Sequence, residues 1–202
     1  MSQERRRQSI PRLVLVPALV TLALTQLRLT GDLLGWSEMG LPFEIAWLVP
    51  LFGAYFALHL RKVDDSTPSA ARVLRGTLLP LVLFITGLIL LRPTSGGMGL
   101  LSLIAIVLVQ RNWSRLGNAL LTYAFAARLP VIITMLAATL GRWDTVFDVS
   151  PYNTLAGTLP QLTVWLAFTV VAGSVAASAA LAVRKRYRAE ETRPFPGSTA
   201  PG

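Results

Sequence analysis

Six apolar runs dominate this chain, at roughly 13–30, 43–60, 76–92, 97–112, 117–140 and 161–183. In lipid there is no water to bond a backbone N–H or C=O, so such runs are confined to helices packed on one another, or to closed barrels. A helix needs about 20 residues to cross a bilayer core, and most of these runs meet that with modest tilt. The chain is 53% hydrophobic and only 14% charged, where a soluble domain carries about a quarter charged residues. In 202 residues there is no room for a second sizeable soluble domain. The expected fold is therefore an all-α integral membrane protein, a compact bundle of six transmembrane helices with short loops.

The basic residues set its orientation. Arg5, Arg6, Arg7 and Arg12 precede the first run, and Arg61, Lys62, Arg72 and Arg75 lie between the second and third. Arg111 and Arg115 separate the fourth and fifth, and Arg184, Lys185, Arg186, Arg188 and Arg193 follow the sixth. Six spans place all of these on one side, and the positive-inside rule makes that side the cytoplasm. Five spans would turn the final "RKRYR" outward. The fourth run is the shortest, "LLSLIAIVLV" between "TSGGMG" and "QRNW", and also fits a re-entrant segment. The first run follows "MSQERRRQSIPR" with no small-residue cleavage site after it, so it reads as an uncleaved span. The organisation expected is a basic cytoplasmic N-terminus over 1–12, a transmembrane domain over 13–188 and a disordered cytoplasmic tail over 189–202, in a multi-pass protein of the cytoplasmic (inner) membrane. Trp36, Trp143, Phe147 and Tyr152 flank the outer ends, where aromatic residues anchor helices.

The fifth run breaks its own pattern. Arg128 stands in the middle of "LLTYAFAARLPVIITML", two residues before Pro130 and about midway between Arg115 and Arg142. A charge at that depth costs at least ~2.5–3.5 kcal/mol on insertion scales, so it must face the bundle interior. Helical spacing supplies candidate companions. Thr21, Thr25, Arg28 and Asp32 share one face of the first span. Glu44, Leu48, Leu51, Tyr55 and His59 share one of the second. Arg28, Asp32, Glu44 and Arg128 then form a polar cluster in the outer half of the membrane. Two readings stay open. The four fix packing as an interhelical ion-pair network, or one arginine binds an anionic ligand, a carboxylate or a phosphate, in an outward-facing cavity.

Other features are weaker. His59 beside Arg61 reads as an interfacial side chain before it reads as a proton relay. Pro17, Pro50, Pro80 and Pro130 lie inside spans, where proline is common and only sometimes marks a broken, substrate-binding helix. In the last span Gly173 and Ala177 form a small-xxx-small pair, and Ala176 and Ala180 another, which let helix backbones approach closely.

The chemistry of catalysis is thin. Cysteine is absent, which removes thiolate catalysis and disulfides. One histidine at the inner interface cannot serve a nucleophile near the outer "TSGGMG", nor furnish a zinc site of three or four ligands. Asp64 and Asp65 sit in a polar loop without further acids, and no phosphate-cradling glycine motif occurs. No cofactor, metal or catalytic residue is assigned, and the chain is expected to be non-enzymatic. The net charge of +9 sits at the ends of apolar runs, so no nucleic-acid partner is expected. The function expected is a small permease or a solute- or lipid-binding membrane component. Its partners would be the lipid bilayer and a small anionic ligand or lipid. The alternative is a structural or assembly subunit bound to another membrane protein.

Overall fold

The computed structural model describes residues 9–35, 45–63, 67–93, 95–143 and 154–191. Among the described residues the chain is helical and contains no strand. The helices are α1 (Ile10–Leu33), α2 (Leu48–Val63, entered through a 3-10 turn at Ile45–Trp47), α3 (Ala70–Leu90), α4 (Gly96–Asn112), α5 (Ser114–Gly141), α6 (Thr154–Leu162) and α7 (Val164–Glu191). Each apolar run of the sequence lies on a helix. Four helical stretches are long and apolar enough to cross a membrane: Ile10–Leu33, Ala70–Leu90, Ser114–Gly141 and Thr158–Tyr187, while α4 is apolar but shorter. Helix α7 continues to Glu191, three residues into the segment expected to be disordered.

The outward surface supports a membrane protein directly. Leu15, Leu19, Leu79, Val82, Ile89, Leu103, Leu129 and Ile133 are all exposed, Ile89 by 75%. A soluble monomer rarely exposes apolar patches larger than a few hundred Å², whereas lipid covers such a face at no cost.

Helix directions follow from residue contacts. Thr21 of α1 meets Tyr123 of α5, and Leu29 packs on Val131, Met135 and Ala138 further along α5, so the two helices run parallel. On α2, Gly53 meets Gly173, and Lys62 lies with Arg184 and Tyr187, which makes α2 and α7 parallel. Gly87 of α3 faces Met98 of α4, and Asn112 Nδ2 donates to the Val73 carbonyl at 3.0 Å, so these two are antiparallel. Gly173 of α7 lies at Leu120 of α5 and Trp165 at Arg128, so α5 and α7 are antiparallel. The start of α3, at Ser69 and Ala70, lies with Lys185 and Arg186 near the end of α7. Helices α1 to α5 and α7 thus alternate in direction. Arg12, Arg61, Lys62, Arg72, Arg75, Arg111, Arg115, Arg184, Lys185 and Arg186 all gather at one end of the bundle, hereafter the basic end.

Helix α7 is the hub, packed on α2, α3, α4 and α5. Its approach to α2 is set by glycine. A methyl group placed on Gly53 would lie 2.6 Å from Gly173 Cα and 2.8 Å from its carbonyl carbon, so no side chain fits between the two backbones. Four residues along each helix stand Ala57 and Ala177, both 0% exposed. Gly173 therefore packs within the chain, its backbone against Gly53 of α2 and its open side against Leu120 of α5, with Ala177 buried one turn along.

Polar groups inside are tied locally. Thr21 Oγ1 donates to the Pro17 carbonyl at 2.9 Å and lies 2.9 Å from the Tyr123 hydroxyl. The threonine has one proton and spends it on the carbonyl, so Tyr123 donates to Thr21. Phe52 and Phe56 of α2 pack edge-on against the Tyr123 ring, with centroids 5.2 and 5.8 Å away. This aromatic group joins α1, α2 and α5. Helices α1, α3 and α5 continue through Pro17, Pro80 and Pro130, and Pro50 lies in the first turn of α2. None of the four prolines divides its helix.

The buried face of α2 differs from the stripe read off the sequence. It carries Leu48, Val49, Phe52, Gly53, Phe56, Ala57 and Leu60, while Leu51 is exposed by 52%. The stripe was phased through polar Glu44, Tyr55 and His59. The face that packs is phased by the glycine contact with α7.

Candidate polar site around Arg128

Arg128 lies at the middle of α5, which places it as far from water as this helix allows. The residues beside it on the helix, Ala124, Ala127, Val131 and Ile132, are buried, and Arg128 itself is only 8% exposed. Its guanidinium carbon stands 4.2 Å from the ring centroid of Trp165, the second residue of α7. A desolvated cation over an indole face gains about 2 kcal/mol. That is comparable to the ~2.5–3.5 kcal/mol insertion cost of a central charge. Trp165 is in turn held by Phe168, edge-on at 5.5 Å.

Helical spacing points to carboxylates as the companions of Arg128 and does not point to Trp165, which the structure sets against it. Its signal was faint: an aromatic at the start of the last span, at the depth Arg128 reaches from the other side. Of the residues that were named, Arg28 and Asp32 lie half-buried on α1, one turn apart. Among the described residues no ion pair joins them. The Asp32 Oδ2 atom is enclosed and makes no hydrogen bond there. Leu29 packs on α5 beyond Arg128, which sets Arg28 and Asp32 toward the end of the bundle away from the basic end. Glu44 lies outside the described residues. Thr21 and Thr25 of the same stripe are buried, at 2% and 0% exposure, so this face of α1 does look into the bundle.

His59 is half-buried near the basic end. Its Nδ1 lies 3.1 Å from the Tyr55 carbonyl oxygen, and only a protonated nitrogen can bond there, so Nδ1–H donates and Nε2 is the nitrogen left over. The Tyr55 ring covers one side of the imidazole at 4.2 Å. Among the described residues no three His, Cys, Asp or Glu side chains come together as metal ligands.

No family model, curated protein or solved structure matches this chain. Its function has to be argued from its own residues. What the Arg128 arrangement shows is a buried cation with one flat face covered by an indole. A guanidinium is the side chain whose planar fork suits the two oxygens of a carboxylate or a phosphate.

Proposed function

We propose that this chain is a six-span protein of the cytoplasmic membrane, with both termini inside, whose polar site in the outer half of the bundle binds a small anionic ligand. It acts as a small permease or as a solute- or lipid-binding membrane component. The alternating helix directions and the basic residues collected at one end support the six-span arrangement, since positive charge marks the cytoplasmic side. Helix α4 is a single unbroken helix, whereas a re-entrant segment must reverse inside the membrane.

The observation that carries the ligand reading is the guanidinium of Arg128, 8% exposed and stacked on Trp165. Intramembrane charges mark sites of function by default. The test is purification in mild detergent followed by mass spectrometry of everything that stays bound, for the natural chain and for Arg128→Gln. A small anion present in the first and missing from the second, with the variant still folded by its melting curve, is the expected result. Identical bound species in both, or a stoichiometric protein in place of a small anion, would overturn the reading and favour an assembly subunit.

A further inference from the structure

A second site lies at the opposite end of the bundle. Between α2 and α7 runs a groove of about 810 Å³. Small residues of α7, Ala176, Ala179 and Ala180, form one wall of it. Ala176 and Ala180 lie beside the Gly173–Ala177 stripe on the helix surface. The same close approach that seals the two helices at Gly53 leaves a hollow where the alanines turn outward. At the basic end the groove is rimmed by His59, Lys62, Arg184 and Tyr187, and none of its described lining residues is acidic.

We propose that this groove is a binding site for one anionic phospholipid of the inner leaflet, with the headgroup phosphate between Lys62 and Arg184 and an acyl chain along the alanines. Three observations support it. The first is charge: two cations converge from different helices on one mouth, and basic pockets between helices on the cytoplasmic side suit anionic headgroups. The second is depth. Ala176 and Tyr187 are eleven residues apart on α7, about 16 Å of helix, and one leaflet of the hydrocarbon core is about 15 Å. A transmembrane helix from a partner or a second copy would need a face running the full ~30 Å, whereas this groove serves one leaflet. The third is the rim itself: Tyr187, exposed by 69%, is an amphipathic side chain of the kind that sits at headgroup level.

The experiment uses the full chain in nanodiscs of equimolar phosphatidylglycerol and phosphatidylcholine, moved into mild detergent for native mass spectrometry of the retained lipid. The natural chain should keep one phosphatidylglycerol in preference to phosphatidylcholine. Lys62→Gln and Arg184→Gln should each lower that preference about fivefold, from the usual attraction of one basic residue for an anionic leaflet. Arg75→Gln removes the same charge from the same end outside the groove and should leave the preference unchanged. Ala180→Phe should expel the lipid without changing the charge. Equal retention of the two lipids by the natural chain would overturn the proposal. So would a loss in Arg75→Gln as large as in the groove variants, or a dimer mass in place of the lipid adduct. Melting curves in detergent confirm that each variant is folded.

Discussion

Replacing Gly53 by alanine should destabilise the protein, and the sign of that effect is a sharp test of the packing. In a helix, alanine is favoured over glycine by up to ~1 kcal/mol, so an uncrowded Gly53 would gain stability from the change. The structure gives the opposite expectation. The new methyl would sit 2.6 Å from Gly173 Cα, while carbon atoms prefer about 3.5–4.0 Å. Relief requires α2 and α7 to separate by about 1 Å, because the obstacle is backbone and cannot rotate away. Overpacking of this kind costs about 1–3 kcal/mol, leaving a net loss of up to about 2 kcal/mol after the propensity gain of up to ~1 kcal/mol. Gly173→Ala should cost less. Its methyl would meet the Leu120 side chain, with Cδ1 at 3.2 Å and Cδ2 closer, and a leucine end can shift. Equilibrium unfolding in mixed micelles reads both variants. A Leu120→Ala background should rescue Gly173→Ala and leave Gly53→Ala as damaging as before. If Gly53→Ala proved more stable than the natural chain, the backbone contact between α2 and α7 would be refuted.

Three further outcomes are expected. Tyr123→Phe and Thr21→Val should each lower stability by about 0.6 kcal/mol, the average for a hydrogen bond inside a membrane bundle, and the double change should cost little more than either alone, as read by unfolding in micelles. Arg128→Ala should be rescued by Glu44→Gln or Asp32→Asn on the ion-pair reading of the polar cluster, whereas on the ligand reading a double-mutant cycle on stability gives coupling near zero. A reporter active only outside the cytoplasm, fused after Arg188, should be silent, and activity there would invert the orientation of the last helix.

The helices were legible because an apolar run bounded by arginine leaves the backbone little choice. Arg128 was legible as buried for the same reason: too far from either end to reach water, it had to turn inward. The partner was not legible. Trp165 belongs to another helix, and its rotation about α7 depends on packing that periodicity alone does not encode. The Gly173–Ala177 pair was visible as a close-packing face, yet Gly53 was not paired with it, since a stripe of i and i+4 residues does not name its mate. The phase of α2 was misread through Tyr55 and Leu51 for a related reason. In a membrane both faces of a helix are apolar, so hydrophobicity no longer tells inside from outside.

Helices α4 and α5 are separated by a single residue, Trp113, which caps the end of one and opens the other. That link bears on how the chain enters a bilayer during synthesis. Helix α4 has 17 residues, about 25 Å of rise, less than the ~30 Å of hydrocarbon it would have to cross. One residue of extended chain reaches only about 3.6 Å, so the end of α4 and the start of α5 must lie at the same depth. Gly117 draws them tighter still, because a methyl there would lie 3.2 Å from Gln110 Cα. On the proposed six-span arrangement the two would enter as one hairpin, with the longer α5 carrying the shorter α4, and lengthening the link at Trp113 would make the fate of α4 depend on its own marginal length.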